Sequence, residues 1–333
     1  MRSARQAAKD LLAPGRGILV ADEYVDRTIA RAGASGRGPT CSAADYLDVA
    51  LDSWGLENYL AGVLLTPGTF AGTEQLRTLK QYREGTAPLL FGVRMDASRT
   101  RPGPDGGPPP DLDAVRRDLA DHRLLGARFV EWRANIDPLT VQKGQVHVDA
   151  AALAQGAAAS QAEDVLPVVT VAMPDLASQS QAVTQAVTAN ALRRLFEELE
   201  RLHVDRTALV LRTNMVLPGD QHRHQPSPAE VASATLRMVR ETVPDDVAAI
   251  AYLSGGQDID QAAANLGAIT EEARSTGLRP RTTFAFTRAL VAGSVRSWAC
   301  DPERAPQAQR DLVQSCRLAS QALSGSSSRA LSV

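Results

Sequence analysis

The sequence predicts an α/β protein: a single-domain (β/α)8 TIM barrel. Three observations carry that prediction. Eight short apolar runs recur along the chain, each ending abruptly in polar or charged residues. Helical or loop sequence follows each run, the alternation expected of parallel strands with covering helices. The 333 residues, 44% of them hydrophobic, suit one large core.

The elements follow in order. Residues 4–12 form a short amphipathic helix, broken at Pro14-Gly15. Strand 17–21 (Gly-Ile-Leu-Val-Ala) ends at Asp22-Glu23. Residues 45–56 have helical periodicity. Strand 60–65 leads into a Thr66-Pro67-Gly68 turn, and 74–82 reads as a helix. Strand 88–95 ends at Asp96. Residues 99–112 are rich in Pro and Gly without apolar periodicity, either a loop over the barrel mouth or a surface insertion.

Helix 111–125 precedes strand 126–133, which carries Glu131 and Arg133. Helix 149–163 precedes strand 165–170. The long helix 180–203 precedes strand 208–211, which runs into Arg212 and a Pro218-Gly219 turn. Helix 226–242 has Ser227 as its cap. Strand 247–253 enters Ser254-Gly255-Gly256-Gln257, and helix 260–276 follows. Strand 282–286 enters Thr287-Arg288, and a helix from about 289 carries Trp298. The domain spans 1–323. The small, polar stretch 324–333 is expected to be disordered.

Composition narrows the function. A formal net charge of −2 argues against a nucleic-acid or anionic-membrane partner. No apolar run reaches 18 residues, and the charged N-terminus lacks a signal-peptide core. The expectation is a soluble cytoplasmic protein. Cys41, Cys300 and Cys316 are sparse and odd in number, which predicts unpaired thiols without metal-ligand spacing. His222 and His224 lie in a Pro-rich loop, where a solvated pair is the plainer reading than a metal site, so neither a metal nor any other cofactor is expected.

In a parallel barrel, residues at the strand C-terminal ends build the active site. Asp22, Asp96 and Glu131 supply carboxylates there, and Arg94, Arg133, Arg212 and Arg288 supply guanidinium forks. Ser254 and Gly255 add a turn suited to an anion. Such forks clamp phosphate or carboxylate at two points.

Several of these segments resemble class I fructose-1,6-bisphosphate aldolases. Gly15 to Glu23 resembles that family's Gly-Lys-Gly-Ile-Leu-Ala-Ala-Asp-Glu-Ser, and Asp22 matches its active-site aspartate. Gly92 to Asp96 resembles Gly-Ile-Lys-Val-Asp, with Arg94 for lysine. Gly126 to Arg133 resembles Gly-Ala-Asp-Phe-Ala-Lys-Trp-Arg, with Glu131 for lysine and Arg133 matching a substrate-binding arginine. Leu253 to Gln257 matches the phosphate-binding Leu-Ser-Gly-Gly-Gln. Thr282 to Leu290 resembles the family's Leu-Thr-Phe-Ser-Tyr-Gly-Arg-Ala-Leu, with Arg288 matching its arginine and Thr287 in place of the glycine whose backbone approaches phosphate. The motifs are collinear from about residue 5 to 320. The family is often tetrameric, which leaves a homo-oligomer open.

One strand departs at the decisive position. Val210 to Val216 resembles Leu-Leu-Lys-Pro-Asn-Met-Val, whose lysine forms a Schiff base with the substrate ketone. This chain has Arg212 there. Both glutamates of Pro-Ile-Val-Glu-Pro-Glu are also absent from Pro167 to Ala172. Only Lys9, Lys80 and Lys143 exist, and none is placed by the pattern to enter the mouth.

The resemblance with these departures implies a diverged aldolase homologue that binds an anionic small-molecule substrate. Catalysis would fall to Asp22, Glu131 and Arg212. Arg94, Asp96, Arg133, Ser254, Gly255 and Arg288 would bind substrate. Glu131 and Arg212 either transfer protons or form a buried ion pair filling the space of two lysines. Three functions stay open: lysine-independent acid–base chemistry, genuine aldol cleavage, and non-catalytic binding.

Overall fold

Along β4 (Phe129–Asn135) side chains alternate between two environments. Val130 and Trp132 belong to the core between sheet and helices, whereas Phe129 belongs to the core inside the barrel. Repeated on every strand, that alternation produces a packed interior with a helical shell. The computed structural model describes residues 3–21, 24–25, 28–29, 41–73, 89–103, 107–137, 141, 148–174 and 177–325. The strands are β1 (Gly17–Val20), β2 (Leu60–Leu65), β3 (Leu90–Met95), β4, β5 (Leu166–Ala172), β6 (Val210–Asn214), β7 (Ala249–Leu253) and β8 (Arg281–Phe286). All pair in parallel and in sequence order, and β8 returns to β1 to close the barrel. Among the described residues no helix is long and apolar enough to cross a membrane.

The first helix, α1 (Ala4–Leu11), closes the barrel's amino-terminal end. Its Ala7, Ala8 and Leu11 join Ile18, Leu90, Phe129 and Leu166 in the interior cluster. Gly92 on β3 accommodates the Phe129 ring, which overlaps any Cβ placed there. The barrel interior at this end is therefore filled by apolar side chains.

The helical shell continues with α2 (Ala43–Leu51), α3 (Pro67–Gly72), α4 (Leu112–Leu124), α5 (Ala150–Ala162), α6 (Gln181–Arg201), α7 (Pro228–Thr242), α8 (Ile259–Ser275), α9 (Arg288–Trp298) and α10 (Ala305–Ser324). The alanine-rich α5 packs close to the sheet. Trp132 donates from its indole Nε1 to Ser160 Oγ at 2.8 Å, and its ring occupies the space beside Gly156. Ser227 caps α7 within a capping box, and Glu230 accepts from the Ser227 backbone at 2.8 Å.

The structure departs from the sequence expectations in several places. The strand expected over 208–211 runs from Val210 to Asn214, and Arg206–Ala208 is a 3-10 turn held by Asp205. Likewise β4 and β5 continue to Asn135 and Ala172. Polar residues end the apolar pattern but not the strand, because neighbouring strands still pair with them. The Thr66 turn is the start of α3, capped by the Thr66 hydroxyl.

The stretch after Asp96 is pinned to the flank of the barrel: Arg99 pairs with Asp111 and Asp118, and Arg101 with Asp149 at 2.6 Å. Helix α10 had no counterpart in the sequence expectations, and it extends to Ser324. The helix expected over 74–82 and the tail beyond 325 lie outside the described residues. The expectation of unpaired thiols is corrected. Cys41 and Cys300 form a disulfide with Cα atoms 5.8 Å apart, while Cys316 is free and buried. Sequence spacing gave no warning, since 259 residues separate the pair.

Two glycine substitutions test this packing against helix propensity. Alanine ordinarily improves a helix interior by about 1 kcal/mol over glycine. At Gly293 in α9 a Cβ meets open space, so Gly293→Ala should raise stability by roughly 0.5–1 kcal/mol. At Gly156 the Cβ collides with Trp132, so Gly156→Ala should lower stability by about 1–3 kcal/mol. Urea unfolding of both variants checks the opposite signs.

Candidate active site

Arg212 lies on β6 in register with Thr170 on β5 and Ala251 on β7. The small Ala251 and Ala285 leave the barrel axis free for its long side chain. The side chain is 2% exposed, among the largest fully buried in the protein. A guanidinium there needs a counter-charge and hydrogen-bond acceptors. Glu131 on β4 supplies the first: Arg212 Nη1 donates to Glu131 Oε1 at 2.5 Å. Ala285 supplies a backbone carbonyl to Nη2 at 3.1 Å. Arg212 Nε has no hydrogen-bond partner among the described residues.

Glu131 is fully buried and holds more than one partner. Thr170 Oγ1 donates to Oε1 at 2.7 Å, and Arg94 Nε donates to Oε2 at 2.6 Å. Arg94 and Glu131 are register neighbours on β3 and β4, which makes the contact a product of strand alignment. Burial alone would raise the Glu131 pKa. Arg212, Arg94, the Thr170 bond and Arg133 outweigh it and hold the carboxyl at about 2. Burial lowers the Arg212 pKa, with Glu131 opposing. One carboxylate between two guanidiniums leaves net positive charge beneath the mouth.

A cavity of about 250 Å³ opens above this network at the strand C-terminal ends. Its basic walls are Arg133, Arg212 and Arg288, and Ser254, Gly255 and Gly256 form one side. Gly255 and Gly256 have φ of +58° and +86°, where side-chain-bearing residues are strained. A Cβ on Gly256 would sit 2.8 Å from Arg288 Nη2, so the glycine lets that guanidinium lie against the turn. Gln257 fixes the turn from behind. It donates to Ser254 O at 2.7 Å and accepts from Asn265 Nδ2 on α8. Arg288 opens α9, whose unsatisfied amides add positive potential.

The sequence-derived residues separate into groups. Arg133, Arg212, Ser254, Gly255 and Arg288 line one cavity. Arg94 and Glu131 lie beneath it, joined to Arg212. Asp96 is exposed and does not line it: its carboxylate accepts from Ser98 N at 2.9 Å, capping a 3-10 turn. Asp22 lies outside the described residues, as do Lys80 and Lys143. Lys9 is exposed on α1 at the far end of the barrel. His222 and His224 bond to each other's loop and do not line the cavity. No group of three or more potential metal-ligating side chains occurs among the described residues.

The structure adds Thr170, Asn214, Met173 and Tyr24 to the site. Asn214 accepts from Met173 N at 2.7 Å and ties the end of β5 to β6. Period-two alternation from Arg212 was a signal for Asn214, and cross-strand register with Arg212 was one for Thr170. Tyr24 lines the cavity in the segment after β1.

Residues 4–331 match the family described as fructose-bisphosphate aldolase class-I. The chain is similar to fructose-bisphosphate aldolase 1 of Toxoplasma gondii, with 31% identity over 323 residues covering 93% of this chain and 86% of that protein. It is also similar to the cytoplasmic isozyme 2 of fructose-bisphosphate aldolase from Pisum sativum, 30% identical over 324 residues, covering 94% and 88%. A solved structure of fructose-bisphosphate aldolase from Plasmodium falciparum, in complex with TRAP and a small-molecule inhibitor, superposes with a TM-score of 0.76. It is 25% identical, and the match covers 97% of this chain and 94% of that one.

The charge network has a pH signature. Folding keeps Glu131 ionised at pH values where the unfolded chain, near a pKa of about 4.3, takes up a proton. Its contribution is therefore complete above pH of about 4.5 and is lost as pH falls toward about 2. Glu131→Gln leaves two guanidiniums without their counter-charge and should cost roughly 3–5 kcal/mol at neutral pH. The gap between wild type and variant should narrow on acidification, as read by urea unfolding from pH 7 to 2.

Proposed function

We propose that this chain, which belongs to the class I fructose-bisphosphate aldolase family, binds a phosphorylated or carboxylated small metabolite in the barrel mouth and transforms it without a Schiff base. The observation that carries this reading is the identity and surroundings of Arg212. A Schiff base needs an amine that loses its proton and attacks a carbonyl carbon. A guanidinium keeps its proton, and its nitrogens are delocalised. The Glu131 contact secures the charged form further. No lysine is among the described residues lining the cavity.

The remaining groups favour an oxygen-rich anion. Arg133 and Arg288 flank the cavity, and the glycine turn and the start of α9 offer backbone amides. Arg212 also lines the same space.

Glu131 fits a positioning role better than proton transfer. Both its oxygens are engaged, its acidity is far from a neutral-pH base, and it does not border the cavity. It fixes Arg212 against the ligand. Proton transfer then falls to Asp22, by its resemblance to the family's aspartate, in an isomerisation, elimination or carbon–carbon bond step. The locked state of Glu131 also favours a second reading, in which the pocket binds its anion without turnover.

Incubation with dihydroxyacetone phosphate and borohydride should add no mass to the protein; a trapped adduct would establish genuine aldolase chemistry instead. Sugar phosphates and related acids should raise the melting temperature. Arg288→Ala should weaken that binding roughly ten- to hundredfold, the loss of a charge-assisted bond worth about 1.5–3 kcal/mol. Chromatography of the bound compounds after incubation separates the readings. Conversion supports acid–base catalysis, and unchanged recovery supports a binding protein.

A further inference from the structure

We propose a second anion site at the amino-terminal end of the barrel, built by Arg16, Arg274, Arg279 and Arg281 and taking a phosphate-class polyanion of pyrophosphate size. These four line a cavity of about 400 Å³ between the starts of β1 and β8 and the ends of α8 and α10. Among the described residues no acidic side chain lines it. Leu12, Leu278 and Pro280 contribute apolar wall, which strengthens any charge interaction within.

The partners of these arginines distinguish the site from an ordinary solvated surface. Elsewhere Arg99, Arg101, Arg116 and Arg206 each hold a carboxylate at 3.0 Å or less. Among the described residues, none of the four cavity arginines does so. Arg16 donates to Glu57 O at 3.3 Å, Arg274 to Leu323 O at 3.2 Å and Arg281 to Leu12 O at 3.4 Å, all neutral carbonyls. Helix-end capping explains the bonds of Arg274 and Arg281, but each guanidinium has five N–H donors and most remain unspent.

Arg16 is the anchor. The residue is 8% exposed, so its charge is partly withdrawn from water and faces the cavity. Burial lowers its pKa, and the Asp10 carboxylate opposes that from outside the cavity. An entering oxyanion would add negative charge inside the cavity, where none of the lining residues supplies it, and Arg279 and Arg281, both exposed at the rim, would close on it. The site is separate from the mouth. Arg281 opens β8 and Arg288 follows its other end, so the length of the strand, roughly 20 Å, lies between them.

The test is calorimetric titration with inorganic pyrophosphate at constant ionic strength. Wild type should bind at a site that survives Arg288→Ala and weakens at least tenfold in Arg279→Ala/Arg281→Ala. If the mouth also takes pyrophosphate, wild type binds two and each variant one. If it does not, wild type binds one, that site persists in Arg288→Ala, and the second site stands whatever the mouth prefers. Arg279→Glu, which alters an exposed side chain, should produce the same loss if the double variant is destabilised. Titration of both rim variants identical to wild type would overturn the proposal, as would a single wild-type site abolished by Arg288→Ala.

Discussion

The Glu131 carboxylate, shared between Arg94 and Arg212, is the interaction around which the upper barrel is arranged. Two guanidiniums placed at the centre of a parallel sheet would repel each other and lose their hydration. The carboxylate removes most of that penalty, and Thr170 occupies a further lone-pair direction. The network reaches across β3, β4, β5 and β6, and a backbone carbonyl of β8 completes it. It therefore fixes side chains from four strands relative to one another and to the backbone of a fifth. Arg212 arrives at the cavity floor with two of its three nitrogens already committed.

Such a network suits recognition more readily than covalent chemistry. Its residual charge attracts an anion, its donors are rigid, and none of its members is a nucleophile near neutral pH. The glycine turn shows the same division of labour. Gln257 and Asn265 hold the backbone, Gly256 yields space, and Arg288 presents the charge. In both places a buried residue serves by restraining an arginine.

Much of the fold was legible in the sequence because apolar alternation and turn residues act locally. Strand ends were less so. Arg212, Thr213 and Asn214 read as the end of a strand, yet they continue it because Ala251, Tyr252 and Leu253 pair alongside. The same limit applied to the site. Arginines at strand ends were visible, and five of the expected binding or catalytic residues meet in one cavity. The fate of a carboxylate was not visible. Glu131 and Asp96 both read as carboxylates near strand ends, but Glu131 lies inside β4 level with Arg94 and is sealed among arginines, whereas Asp96 lies past the end of β3 and caps a surface turn. Which partners reach a side chain is decided by register and loop path. The Cys41–Cys300 bridge, like α10, belongs to that same long-range information.

The stopper formed by α1 has a consequence for access. With Ala7, Ala8, Leu11 and the Phe129 ring filling one end, the charged centre is a blind alley. Protons and water exchange with Glu131 and Arg212 from above, past the same arginines that meet an incoming anion. Under the proposed function a bound metabolite would also be a lid, and occupancy of the mouth would set how freely the buried charges communicate with the outside.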